Sequence, residues 1–253
     1  MTSAIHRLAL AAAAVCSMAI GGCGNAQTPG MGDTGTAPSA PGAGPDLSSC
    51  APVQAGPDWE ISRKGPLELP PALAGIAASD FDHIAFVTLG AATLCIDTSW
   101  MDGASDMALS PDGGFVTFKW YGFEDYGAKL VDLRGEGSLV ETGETPVRSP
   151  SGRLVAAVEY SESGFGSLNA LGLWDIASSP VREVAIIQFP EGYTDWRFDG
   201  WASDQCLWVS ATTFERLGDD GLGPDEAARD GFVSKEARGW QVEPAGERGC
   251  AAP

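Results

Sequence analysis

Leu109-Ser110-Pro111-Asp112-Gly113-Gly114-Phe115-Val116 is the stretch whose reading decides the fold. Proline sets φ at the first corner of a type I turn and Asp tolerates the second. Gly then takes the left-handed position from which the next strand leaves with the right twist. The following Phe115 to Trp120 is a short run of aromatic and β-branched residues, the composition of a strand. The same punctuation returns 39 residues on, where Ser149-Pro150-Ser151-Gly152 precedes Leu154 to Tyr160. Degenerate copies stand at Ser79-Asp80-Phe81-Asp82 before Ile84 and at Ala202-Ser203-Asp204 before Leu207.

Working outward, Ile84 to Leu89 and Leu207 to Thr213 read as two further strands. Each of the four is followed by a second run, at Thr93 to Thr98, Lys129 to Leu133, Ala170 to Ile176, and Gly231 to Ser234 with Trp240 to Val242; Val181 to Phe189 adds another. No long window has a 3.6-residue period, and Glu226 to Arg229 makes at most one helical turn. The expected fold is therefore all-β. The spacings of the four punctuation sites bracket the blade period of β-propellers, and Leu109 to Val116 resembles the S-P-D-G blade repeat of TolB-like, WD40-like propellers. Members of that class usually close a ring of six or seven blades, whereas about 200 residues supply at most four or five, so the expectation over residues 50–250 is a propeller-like array of about four small antiparallel sheets. A β-sandwich or a twisted meander is the alternative.

The N-terminus reads differently. His6 and Arg7 lead into an apolar run from Leu8 to Ile20, too short to span a bilayer, which ends in Ile20-Gly21-Gly22-Cys23. This resembles the lipobox of bacterial lipoproteins. The resemblance implies a signal peptide over residues 1–22, lipid on the Cys23 thiol, and acylation of the new amine. With Gly24 rather than Asp after the cysteine, it also implies an outer-membrane destination over an inner-membrane one. Gly24-Asn25-Ala26 offers the alternative of ordinary secretion with cleavage after Ala26. Residues 23–49 then form a tether rich in Gly, Pro, Ala, Ser and Thr, with nothing to bury a core.

Cysteine usage agrees with export. Beyond Cys16 and Cys23 there remain Cys50, Cys95, Cys206 and Cys250, which allow three connectivities in an oxidising compartment. The pairing expected is Cys50 with Cys95 and Cys206 with Cys250, each stapling a terminal segment to the nearest repeat unit.

Chemistry is sparse. The 253 residues carry 15 Lys and Arg against 34 Asp and Glu, a formal charge of −19, which disfavours any nucleic-acid partner. No nucleophile elbow, Walker, zincin or dinucleotide motif occurs, and His83 beside a turn reads as a surface residue rather than a catalytic base. No cofactor is expected, with one candidate exception. Asp219, Asp220, Asp225 and Glu226 alternate with glycines as a Ca²⁺ loop would, although a solvated insertion gives the same composition. Trp196, Trp201, Trp208 and Trp240 crowd the C-terminal unit, as a binding surface for sugars or peptides or as core. The expectation is a membrane-anchored, non-catalytic protein that binds an envelope protein or cell-wall polymer. The alternative is a periplasmic or surface glycan hydrolase using paired carboxylates in a Trp-lined cleft.

Overall fold

The computed structural model describes residues 44–53, 63–219, 228–237, 239–246 and 249–250. Among them, fifteen strands form four antiparallel sheets, none closed into a barrel. Sheet 1 holds β1 (Ala77–Ser79), β2 (His83–Val87) and β3 (Thr93–Asp97); sheet 2 holds β4 (Met101–Leu109), β5 (Phe115–Gly122), β6 (Tyr126–Asp132) and β7 (Ser138–Glu141). In sheet 3 are β8 (Val147–Arg148), β9 (Leu154–Glu159), β10 (Ala170–Asp175) and β11 (Arg182–Ile187). Sheet 4 holds β12 (Tyr193–Ser203), β13 (Cys206–Thr213), β14 (Asp230–Lys235) and β15 (Val242–Pro244), with a short helix α1 (Phe214–Asp219) after β13. Within each sheet, successive strands are hydrogen-bonded neighbours, so the chain builds one meander after another. The all-β class and the four small antiparallel sheets are as expected.

Apolar faces join the sheets in sequence. Ile84, Phe86 and Ile96 of sheet 1 pack with Val116, Phe118 and Val131 of sheet 2. Phe115 and Leu130 pack with Val155, Trp174 and Ile176 of sheet 3, and Leu171 and Leu173 pack with Leu207, Val209 and Phe232 of sheet 4. Each fully buried side chain of this kind stabilises by about 1.5–3 kcal/mol. Among the described residues, no apolar cluster joins sheet 4 back to sheet 1.

The two full S-P-x-G turns are built alike. Ser110 Oγ accepts from Phe115 N (2.9 Å) and Gly113 N donates to Ser110 O (2.8 Å); Ser149 Oγ accepts from Leu154 N (3.2 Å) and Gly152 N donates to Ser149 O (2.8 Å). Gly113 and Gly152 have φ of 69° and 74°, the conformation that reserves this position for glycine. The β12–β13 turn at Ser203 lies at the same end, where Asp204 Oδ1 accepts from Ser151 N (3.0 Å) and Arg148 bonds Asp112 (3.1 Å), so neighbouring turns are tied together.

The Ser79–Asp82 copy is a correction. Arg63 donates to the carbonyls of Phe81 (2.8 Å), Thr98 (2.7 Å) and Met101 (3.1 Å), and Met101 pairs with Gly122 at the far tip of sheet 2. At the other end, Leu89 N donates to Leu133 O (2.6 Å) and Gly90 N to Gly135 O (3.0 Å). Among the described residues, sheet 1 has no strand matching the one that precedes the turn in the other sheets. Its Asp80 turn therefore corresponds to the β5–β6 loop, at the end opposite the S-P-D-G turns.

Both expected disulfides form. Cys50–Cys95 fastens the leading segment to β3 with a Cα–Cα distance of 5.6 Å, and Cys206–Cys250 fastens the trailing segment to β13 at 5.9 Å. Arg134 links sheets 2 and 3, bonding both carboxylate oxygens of Asp132 (2.8 Å each) and the carbonyls of Ile176 (2.7 Å) and Ser178 (2.6 Å).

Three carboxylates at the turn end have depressed pKa values. Hydrogen bonds from Ser110 and then Arg148 lower that of Asp112, and bonds from Ser151 lower that of Asp204. For Asp175, burial pushes upward but is outweighed by the backbone N–H groups of Ala177 and Ser178 and the charge of Arg153. A folded pKa below the unfolded one contributes stability that is fully present above about pH 4 and is lost as pH falls through the folded value. Urea midpoints are therefore expected to hold steady from about pH 7 to 5 and to fall below about pH 4, with Asp175→Asn shrinking the acid-induced drop. A midpoint in Asp175→Asn that falls as steeply as in the parent would contradict the assignment.

Candidate functional site at the aromatic end

Six Phe and Tyr side chains are exposed among the described residues: Phe81, Tyr121, Phe123, Tyr126, Phe165 and Phe214. All six lie at the end opposite the S-P-D-G turns. Tyr121 and Tyr126 face each other across the β5–β6 tip that carries Phe123. Phe165, in the β9–β10 loop, joins them because Tyr126 N donates to Phe165 O (3.3 Å) and Ser167 N to Tyr126 O (3.1 Å). Glu141 secures this junction from within, accepting from Trp120 Nε1 and Ser167 Oγ (3.0 Å each) and from Lys129 Nζ. Gly103 lets the Tyr121 ring lie close over β4, since its hydroxyl sits 2.2 Å from where a Cβ would stand.

Between sheets 3 and 4 this end opens into a cavity of about 250 Å³ lined by Tyr160, Phe189, Tyr193 and Phe214. Asn169, Gln188 and Glu191 complete its polar wall, and no Lys or Arg lines it. The nearby cations are already engaged. Arg229 bonds Asp195, and Arg216 bonds Asp230 (3.1 Å) and Ala228 O (3.2 Å). On sheet 1, burial pushes the Arg63 guanidinium below its ordinary pKa against the pull of Asp82, Asp102 and Asp80.

The residues singled out by sequence fall elsewhere. Trp196 is 4 % exposed, stacked on Phe189 with centroids 4.6 Å apart, and so is core rather than a ligand platform. Trp201 donates to Val147 O (3.0 Å), bridging sheets 4 and 3, and meets Trp240 edge to face at 6.1 Å. Trp208 is half-buried beside Gly249. His83 is buried, with Nε2 donating to Ala51 O (3.0 Å), a structural role and not the exposed position expected. Cys23 and the loop residues Asp220, Asp225 and Glu226 lie outside the described residues, as does the side chain of Asp219. Among the described residues, no group of three potential metal ligands converges. No helix among them is long and apolar enough to cross a membrane. Three cavities among the described residues, at Phe115, at Cys206 and the recess itself, have neither two carboxylates nor a tryptophan in their walls.

Sequence reasoning missed the aromatic end. Its signal is present in Gly122-Phe123-Glu124-Asp125 and Gly164-Phe165-Gly166, where an aromatic stands inside a glycine- or acid-flanked loop and serves no strand face.

No protein-family model matches the chain, and no curated protein matches it. Among solved structures, a chain of hydrazine synthase from Kuenenia stuttgartiensis is similar with a TM-score of 0.34 and 16 % identity. The match covers 64 % of this chain and 47 % of that one, so this chain spans about half of its length. A likeness this distant bears on no activity.

Proposed function

We propose that this chain is a lipid-anchored cell-envelope protein that binds a protein or cell-wall partner, without catalysis, through its aromatic end. One observation carries the reading: every exposed Phe and Tyr side chain among the described residues gathers at one end. Exposed aromatics scattered singly need no explanation, whereas a one-sided collection of them marks a surface kept for a partner. The lipobox-like Ile20-Gly21-Gly22-Cys23 and the tether over residues 23–49 support the anchor, and Gly24 supports the outer membrane. Two disulfides fit an oxidising compartment outside the cytosol.

A photo-crosslinking residue at Phe123 in intact cells is expected to capture a defined envelope component, and the same residue at Pro111 on the turn end is not. Phe165→Ala should reduce the Phe123 yield. Equal capture from both ends would refute the assignment of the docking face. In the same cells, Cys23→Ser should move the protein from the detergent-extracted membrane fraction to the soluble one. A variant that stays membrane-bound would remove the anchor from the reading.

A further inference from the structure

We propose that the recess between sheets 3 and 4 is a cage for an alkylammonium group, formed by Tyr160, Phe189, Tyr193 and Phe214 with Glu191 as counter-charge. This names the chemistry of the partner and rests on the reading of the aromatic end as a docking face.

The recess combines what recognition of an organic cation needs and omits what opposes it. Ring faces carry negative quadrupole charge and attract a desolvated ammonium, more strongly with a carboxylate alongside. Four aromatic side chains and Glu191 line the cavity of about 250 Å³, and no cationic side chain does. Two of the walls are held in place by buried neighbours. Phe189, in the cavity wall, lies parallel to Trp196, at 7° between planes. Tyr193 stands edge-on to both Trp196 (5.9 Å) and Phe232 (4.9 Å), and Tyr160 meets Phe189 at 6.1 Å. Such a preformed cup spends little ordering entropy on binding. Phe214, 53 % exposed at the start of α1, is the outer wall.

Charge selects the occupant. The formal charge of −19 repels anionic polymers and raises the local concentration of cations. A neutral sugar gains from the rings but not from the carboxylate's charge. An alkylammonium gains from both. It has two sources, a quaternary headgroup or the side chain of a lysine in a basic peptide, which share this chemistry.

The test is calorimetric titration of the full lipidated protein in neutral detergent with choline, with a blocked lysine amide, with the uncharged carbon isostere of choline, and with N-acetylglucosamine. At least one cation is expected to bind about tenfold more tightly than the isostere, in line with cation–π energies. The tighter of the two cations identifies the source. Glu191→Gln and Phe214→Ala, both at exposed positions, should each weaken that binding several-fold while leaving the melting temperature unchanged. Equal binding of the isostere, binding of the sugar alone, or no binding by either cation up to tens of millimolar would each overturn the cage. Continued capture from Phe123 would then leave the docking face standing, whereas loss of capture as well would bring down both.

Discussion

The double variant Cys50→Ser/Cys95→Ser is expected to lose about 4 kcal/mol of unfolding free energy relative to the oxidised parent, for a bridge closing a separation of 45 residues. The effect is large because of where the bridge sits. Sheet 1 has three strands where the others have four, and its outer strand β3 carries Cys95. Beside the bridge, Ala51 O of the leading segment accepts from His83 Nε2 on β2 (3.0 Å). Cutting the bridge frees the unfolded chain and unclamps that segment together. Urea unfolding without reductant measures the loss, and a drop of less than about 1 kcal/mol would mean the segment is held by other means. Dithiothreitol should shift the parent in the same direction and leave unmoved only a variant that lacks both bridges, since Cys206–Cys250 spans a similar separation of 44.

Phe232→Ala is expected to cost about 3–5 kcal/mol, the range for removing a buried aromatic ring and leaving its cavity. Phe232 is 1 % exposed on β14, with its ring 4.6 Å from Trp196 and 4.9 Å from Tyr193. Those two rings in turn hold Phe189 and the inner wall of the recess. The substitution is therefore expected to loosen the recess as well as the core, lowering choline or lysine-amide binding at temperatures where the variant is still folded. Phe118→Ala, in the cluster shared by sheets 1 and 2, supplies the comparison. It should cost a similar amount of stability with no change in binding by folded protein. If both variants bind as the parent does, the recess does not depend on the Phe232 ring for support.

The two variants also divide what was legible from what was not. Cysteine positions at the two ends of the folded part pointed to their neighbours, and the pairing followed. Strands that read as short apolar runs, such as β9 and β13, were legible to within one residue. The two longest, β4 and β12, were not. Their register shifts at Met101/Gly103 and Ser105/Ala108, and at three places in β12, and each bulge breaks the period of two that a reader looks for. Asp106 (φ 53°) and Asp195 (φ 50°) sit inside strands in a conformation usual for turns. The α-helix among the described residues is Phe214–Asp219; of the stretch Glu226 to Arg229, expected to make at most one helical turn, Ala228 and Arg229 are described and are not helical.

The Trp residues show the same limit at the candidate site. Composition located aromatics in the last sheet but not which way they point, and Trp196 points inward while Phe214 points out. By itself the sequence determined the turn chemistry, the all-β class and the stapled ends, because each depends on residues a few positions apart or on a short choice of partners. Only the tertiary structure decided that the Asp80 turn belongs to the opposite end, and that aromatics from loops of all four sheets share that end. Those loops are far apart along the chain. They fall at one end only because the sheets stack by their apolar faces in a fixed order, and no local pattern records that order.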